Sequence, residues 1–229
     1  MSKIGDKEFW AKVSAFKASV PQGGPERAPK EVRAEIKEGS MSLYIDDYID
    51  SWFGIDASTV VKAIHDAKGK NIDVFINSGG GSVFDGLSIY NALQDHDADV
   101  KVTVTGIAAS ISSIIALGGK EKPTMRTGTR FMIHNASVMT WGDHRSLRAE
   151  ADLLESISDD LAQIYVNVAG MDKNEVQEYM NKETFFTAEE AVTNGLAVSK
   201  EENDNGAPSK DTRNELATRL LNCRLKALN

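Results

Sequence analysis

Apolar positions along this chain recur at two periods, one near 3.6 residues and one of two, and the segments alternate between them. Residues 4–20 place Phe9, Val13, Phe16 and Val20 at near-helical spacing, a short amphipathic arm. Pro21-Gln22-Gly23-Gly24-Pro25 breaks it and Pro29 extends the break, so residues 1–33 read as an arm and linker outside the main domain. From Ala34 to Ile49 the pattern alternates loosely, with Ile36, Leu43, Ile45 and Ile49 as strand positions. Asp56 is placed to cap a helix through Ala67, with Val60, Val61 and Ile64 inward and Gly69 as the stop. Ile72 to Ile76 is the next strand, and beyond a glycine-rich stretch a helix carries Val83, Leu87, Tyr90 and Leu93 on one stripe. Strands follow at Val100 to Thr105 and at Thr129 to Ile133.

The segment 145–168 repeats Leu147, Leu153, Leu154, Ile157, Leu161, Ile164 and Val168 at helical spacing. Its length and acidic faces suit a projecting or interface helix. Shorter helices are predicted at Lys173 to Met180 and at Thr187 to Asn194, the latter capped by Gly195. Alternation of strand and helix through the middle argues for an α/β fold with mainly parallel strands over residues 34–198. Past Val198 the chain turns polar and reads as a connector, and Leu216, Leu220, Leu221, Leu225 and Leu228 form a last amphipathic helix within 199–229. That helix suits docking on the body or on a sister subunit.

Bulk properties narrow the classes. A chain of 229 residues can bury one substantial core, and 41% hydrophobic with 26% charged residues is ordinary for a globular protein. The net charge of −8, with no basic cluster, argues against a nucleic-acid surface. A single cysteine, Cys223, forbids an internal disulfide and fits a reducing compartment. The N-terminal residues lack a signal peptide's apolar core and no stretch has transmembrane length, so a cytoplasmic, membrane-free protein is expected.

Candidate chemistry concentrates in Gly106-Ile107-Ala108-Ala109-Ser110-Ile111-Ser112-Ser113. Following the Val100 strand, this stretch predicts a tight glycine turn and a buried helix with Ser110 in its first turn. Unpaired N–H groups there favour developing negative charge. The competing reading is a small-residue helix whose Ser110, Ser112 and Ser113 bond backbone carbonyls. A second turn, Asn77-Ser78-Gly79-Gly80-Gly81-Ser82, lacks the lysine and spacing of a phosphate loop and suits backbone presentation instead. Among the four histidines, His65 and His96 fall near helix ends and read as surface residues, and His144 opens the long helix. His134 ends an apolar strand, where α/β proteins build sites. With no metal-binding spacing and no cofactor motif, serine chemistry is the best use for His134: a hydroxyl needs a base, and the base an acid to hold it.

Taken in order, Asn77-Ser78-Gly79-Gly80-Gly81, Gly106-Ile107-Ala108-Ala109-Ser110, Met132-Ile133-His134 and Phe185-Phe186-Thr187-Ala188-Glu189-Glu190-Ala191 resemble the proteolytic subunit of Clp protease. Finer features resemble the phage head maturation proteases: Ser82-Val83-Phe84-Asp85-Gly86-Leu87, His134-Asn135-Ala136-Ser137, Trp141-Gly142 and Glu183-Thr184. The likeness covers about residues 34–198. It implies a Clp/crotonase-like spiral of ββα units with a long protruding helix, assembled into homo-oligomeric rings, possible stacking of rings included. It also implies Ser110 as nucleophile, His134 as general base, and an oxyanion hole from the N–H groups of Ile111 and a glycine of the Gly80-Gly81 pair. The acid falls on Glu183, where Clp subunits usually carry aspartate. Gly79 stands where they usually carry proline.

The expected function is therefore a serine endopeptidase without ATPase machinery of its own, acting on capsid, scaffold or portal proteins during head maturation. Its setting would be the host cytoplasm or the assembling prohead. The alternatives are a housekeeping peptidase working with an ATPase partner, an acyl-CoA enzyme of the crotonase fold, and an inactive assembly ring.

Overall fold

The computed structural model describes residues 32–37, 39–51 and 54–198. The predicted N-terminal arm with most of its linker, and the C-terminal connector and helix, lie outside the described residues. Seven strands form one sheet: β1 (Arg33–Lys37), β2 (Ser40–Ile45), β3 (Asn71–Ser78), β4 (Val100–Ala109), β5 (Thr124–Met125), β6 (Arg130–Ile133) and β7 (Thr184–Thr187). Their spatial order is β1-β2-β3-β4-β6-β7, with β5 also beside β4. Pairing is parallel from β2 to β6 and antiparallel only at the two outer strands, β1 and β7.

Register explains why the alternation was needed. Met41, Ile72 and Val100 lie side by side, as do Leu43, Val74 and Val102, and Ile45, Ile76 and Val104. These three apolar rows are buried, while Ser42, Tyr44, Asp73, Phe75 and Thr103 between them are half-buried on the opposite face. There Tyr44 stacks on Phe75 with centroids 5.1 Å apart, and the Arg33 guanidinium lies 3.8 Å above the Tyr44 ring.

Among the described residues six helices accompany the strands, the last following β7: α1 (Ala57–Asp66), α2 (Val83–Gln94), α3 (Ile111–Ala116), α4 (His144–Ala169), α5 (Lys173–Asn181) and α6 (Ala188–Thr193). The α1 cap is as predicted: Asp56 accepts from the Ser58 N–H at 3.2 Å. Hydrogen bonds to Ser58 first, then to Thr59, hold its carboxyl below the usual carboxylate range. Thr187 and Glu190 form a reciprocal capping box on α6. The α2 stripe differs from expectation. Gly86, Ile89 and Leu93 face the core, and Val83, Leu87 and Tyr90 flank it half-buried. Gly86 moves the contact line, because its missing side chain lets α2 close on Ile111 at the start of α3.

The long helix spans 26 residues. Its first buried residue is Ile157, so more than a third of its length, with Leu147 exposed, stands clear of the body. No helix among the described residues is long and apolar enough to cross a membrane.

Glycine to alanine inside a helix ordinarily gains up to about 1 kcal/mol. At Gly86 the new methyl would overlap Ile111 Cγ1 and lie 3.1 Å from its Cγ2. We therefore expect Gly86→Ala to lose about 1–3 kcal/mol, as overpacked sites do. A lowered urea midpoint with unchanged slope would register this, and a raised midpoint would show that α2 and α3 separate freely.

Candidate active site

Three neighbouring parallel strands end at one edge of the sheet, where open α/β folds place their sites. β3 runs into Gly79-Gly80-Gly81, β4 into Ser110, and β6 into His134. The Ser110 N–H donates to the Met132 carbonyl at 3.1 Å, continuing the β4–β6 pairing one residue past the strand. His134 follows two residues later, and its Nε2 lies 2.7 Å from Ser110 Oγ. Both side chains are half-buried. With Nε2 accepting the hydroxyl proton, the remaining ring proton belongs on Nδ1.

The turn that presents Ser110 is not where the glycine suggested. Gly106 lies inside β4, where the register shifts between Ile76↔Val104 and Ser78↔Ala108. A Cβ on Gly106 would overlap Asn77 Oδ1, so the glycine serves close approach. The chain turns at Ser110 itself, which caps α3 with φ 56 and ψ −133. A non-glycine residue there costs on the order of 1–3 kcal/mol and persists only when its surroundings fix it.

Buried hydroxyls do that fixing. Ser113 donates its N–H at 3.0 Å and its Oγ–H at 2.5 Å to the Ser110 carbonyl. Ser112 Oγ bridges the carbonyls of Ser78 at 2.7 Å and Ala109 at 2.8 Å, tying the ends of β3 and β4 together. Ser78 Oγ donates to the Asp47 carbonyl at 2.6 Å and accepts from the Gly80 N–H at 3.1 Å. Of the three serines between Ser110 and Ser113, Ser112 and Ser113 bond carbonyls and Ser110 faces the imidazole. The sequence offered Ser112 and Ser113 only as structural hydroxyls and gave no weight to Ser78 or to Tyr165 on α4, which is within 2.7 Å of Ser113 Oγ.

The glycines divide by need. Gly79 has no positive φ and open space at its Cβ, whereas Gly80 (φ 94) and Gly81 (φ 149) occupy conformations that favour glycine. A Cβ on Gly80 would sit 2.6 Å from Ser110 Cβ, and one on Gly81 would strike Ile49. The Gly80 N–H is already engaged by Ser78. The Gly80 carbonyl accepts from the Ile49 N–H at 2.7 Å. In a trans peptide the two groups point oppositely, so the Gly81 N–H turns away from Ile49. Among the described residues neither that N–H nor the Ile111 N–H, first in α3 and without an intrahelical acceptor, makes a turn or loop backbone hydrogen bond.

Glu183 is placed by register and turned by its backbone. Ile133 pairs with Thr184, so the next cross-strand position sets Glu183 opposite His134. Yet Glu183 has φ 49 and is exposed, and among the described residues no hydrogen bond joins it to the imidazole. Beside it, Asn135 Nδ2 donates to Asn181 Oδ1 at 2.7 Å, fastening the end of β6 to α5. His65 and His144 are exposed. His96 corrects its expectation: it is 7% exposed, its Nε2 2.8 Å from the Lys70 carbonyl, because the loop before β3 folds over it.

Gly80→Ala should slow phosphonylation of Ser110 by about 100-fold or more, since the methyl would displace the hydroxyl, while circular dichroism stays unchanged. Undiminished labelling would contradict this placement of the loop.

Comparison with known proteins bears on the same region. The profile of the family described as Clp protease matches residues 56–200. The ATP-dependent Clp protease proteolytic subunit 1 of Synechococcus sp. (strain CC9902) is 33% identical over 131 residues, covering 57% of this chain and 66% of the relative. The ATP-dependent Clp protease proteolytic subunit of Chaetosphaeridium globosum is 32% identical over 133 residues, covering 57% of this chain and 66% of that protein. That of Bacteroides fragilis (strain YCH46) is 32% identical over 129 residues, covering 56% and 59%. The chain thus spans less than two thirds of the length of these relatives.

Proposed function

The chain belongs to the Clp protease family, and on that premise we propose that it is a serine endopeptidase with Ser110 as nucleophile and His134 as general base. The observation that carries the reading is the 2.7 Å contact between His134 Nε2 and Ser110 Oγ at the ends of adjacent parallel strands. Ser110 Oγ attacks the peptide carbonyl as Nε2 takes its proton. The oxyanion lies against the N–H groups of Gly81 and Ile111. As the C–N bond breaks, the imidazolium returns the proton to the leaving amine, and water then hydrolyses the acyl-enzyme by the same proton path.

Glu183 is the acid in this reading. It stands across from His134 in the register, and its extra methylene relative to aspartate gives it reach from that position. Catalytic hydrogen bonds often tighten only with substrate or assembly in place. The exposed first turns of α4, with Leu147, and the exposed Met139 and Trp141 before them supply a self-association surface, consistent with a ring. Confinement in such a chamber would keep the peptidase from folded bystanders.

Substrates follow one of two lines. The head-maturation likeness in Ser82–Leu87, His134–Ser137 and Glu183–Thr184 favours scaffold, portal or coat proteins. The relatives' names, ATP-dependent Clp protease proteolytic subunits, favour unfolded chains delivered by an ATPase. Cleavage of procapsid proteins by the isolated protein supports the first. Turnover that appears only on adding a Clp-type ATPase with ATP supports the second.

A fluorophosphonate should add its mass to Ser110, and Ser110→Ala should remain unmodified. Equal modification of both, or of neither, would return the chain to an inactive assembly role. Glu183→Gln should lower kcat by about 10³-fold or more, since loss of a triad acid costs about 10⁴ in well-studied cases. A loss below tenfold would leave His134 working without a carboxylate.

A further inference from the structure

Tyr165 is set in α4 among Ile157, Leu161 and Ala162, and its side chain is fully buried. A phenol hydroxyl in such a place is costly unless it has a partner, and a phenylalanine would fill the same space without that cost. The partner here is Ser113 Oγ at 2.7 Å. Ser113 has one hydroxyl proton, and the carbonyl of Ser110, 2.5 Å away, can only accept it. Tyr165 must therefore donate, which gives a directed chain: Tyr165 O–H to Ser113 Oγ, and Ser113 O–H to the Ser110 carbonyl. Burial pushes the Tyr165 hydroxyl far above its ordinary pKa, partly offset by the Ser113 bond, so it stays a donor across the working pH range.

The chain ends on the backbone of the one residue whose conformation the site cannot do without. Ser110 holds φ 56 and ψ −133, and its carbonyl takes both donors of Ser113. Hydrogen bonds in series polarise one another, so the first donor strengthens the last contact. Ser112, the neighbouring buried hydroxyl, points instead to the ends of β3 and β4. The lock on the Ser110 carbonyl is thus the only link, among these three serines, that reaches α4.

We propose that Tyr165 is a positioning residue for Ser110, its hydroxyl acting through Ser113 to hold the carbonyl of the elbow and so the aim of the nucleophile. The role rests on the peptidase reading of Ser110. Tyr165 touches no substrate; it couples the seating of the long helix to the reactivity of Ser110, on a different element.

The test compares full-length wild type, Tyr165→Phe, Ser113→Ala and the double variant. Readouts are the second-order rate of fluorophosphonate labelling at Ser110, kcat and KM on a fluorogenic peptide, and the unfolding midpoint. Tyr165→Phe should lower the labelling rate and kcat by about tenfold with KM within about twofold, the size expected for losing one hydrogen bond and a small misplacement. Ser113→Ala should do at least as much, and the double variant should be no worse than Ser113→Ala alone, because both cut one chain. Labelling of Tyr165→Phe at the wild-type rate would overturn the proposal. So would a double loss equal to the product of the singles. Should Tyr165→Phe fail to fold, Ser113→Ala labelling at the wild-type rate would overturn it equally. A wild type that does not label at Ser110 would instead remove the peptidase reading, and this role with it.

Discussion

One residue is held in a conformation its own side chain disfavours, and the site is organised around that. Ser110 turns with φ 56 between a strand and a buried helix, which lifts its hydroxyl off the sheet edge and toward His134. Its N–H is fixed by the Met132 carbonyl and its own carbonyl by Ser113. Strain of this kind survives only where neighbours over-determine it. Here the neighbours are hydroxyls with almost no exposure: Ser78 at 2%, Ser112 and Ser113 at 0%. Each is satisfied, so the polar lattice stabilises one geometry instead of leaving unpaired groups in the core.

The same lattice sets the glycine loop against the elbow. Ser112 bridges the ends of β3 and β4, and Ser78 grips the Gly80 N–H. Ile49 then orients the next peptide by holding the Gly80 carbonyl. The loop's conformation is thus imposed from three sides, and glycine is required at Gly80 and Gly81 for that reason while Gly79 is not. The Gly80-Gly81 loop, Ser110 and His134 follow the ends of three neighbouring parallel strands, β3, β4 and β6.

Much of this was legible in the chain, and the parts that were not share a cause. The apolar rows, the Asp56 cap and the long helix expected at 145–168 follow from periodicity and capping chemistry, which are local. Ser110 and His134 were legible as a pair through their flanking small and apolar residues and through the resemblance. Gly106 misled because a glycine can serve a turn or a close approach, and Asn77, across the sheet, decides between them. His96 misled for the same reason: the Lys70 carbonyl that buries it comes from another segment. The α2 stripe shifted because Gly86, apolar by absence, is invisible to a periodicity count. Glu183 lies opposite His134 by strand register, but its positive φ and exposure depend on how α5 hands the chain to β7.

The most direct measurement is a crystal structure of the phosphonylated protein in its assembled form. The adduct should sit on Ser110 Oγ with its anionic oxygen about 2.7–3.1 Å from the N–H groups of both Gly81 and Ile111, and His134 should remain beside it. An adduct oxygen turned to solvent with those two N–H groups bonded elsewhere, or an adduct on a different residue, would contradict the arrangement on which the peptidase reading depends.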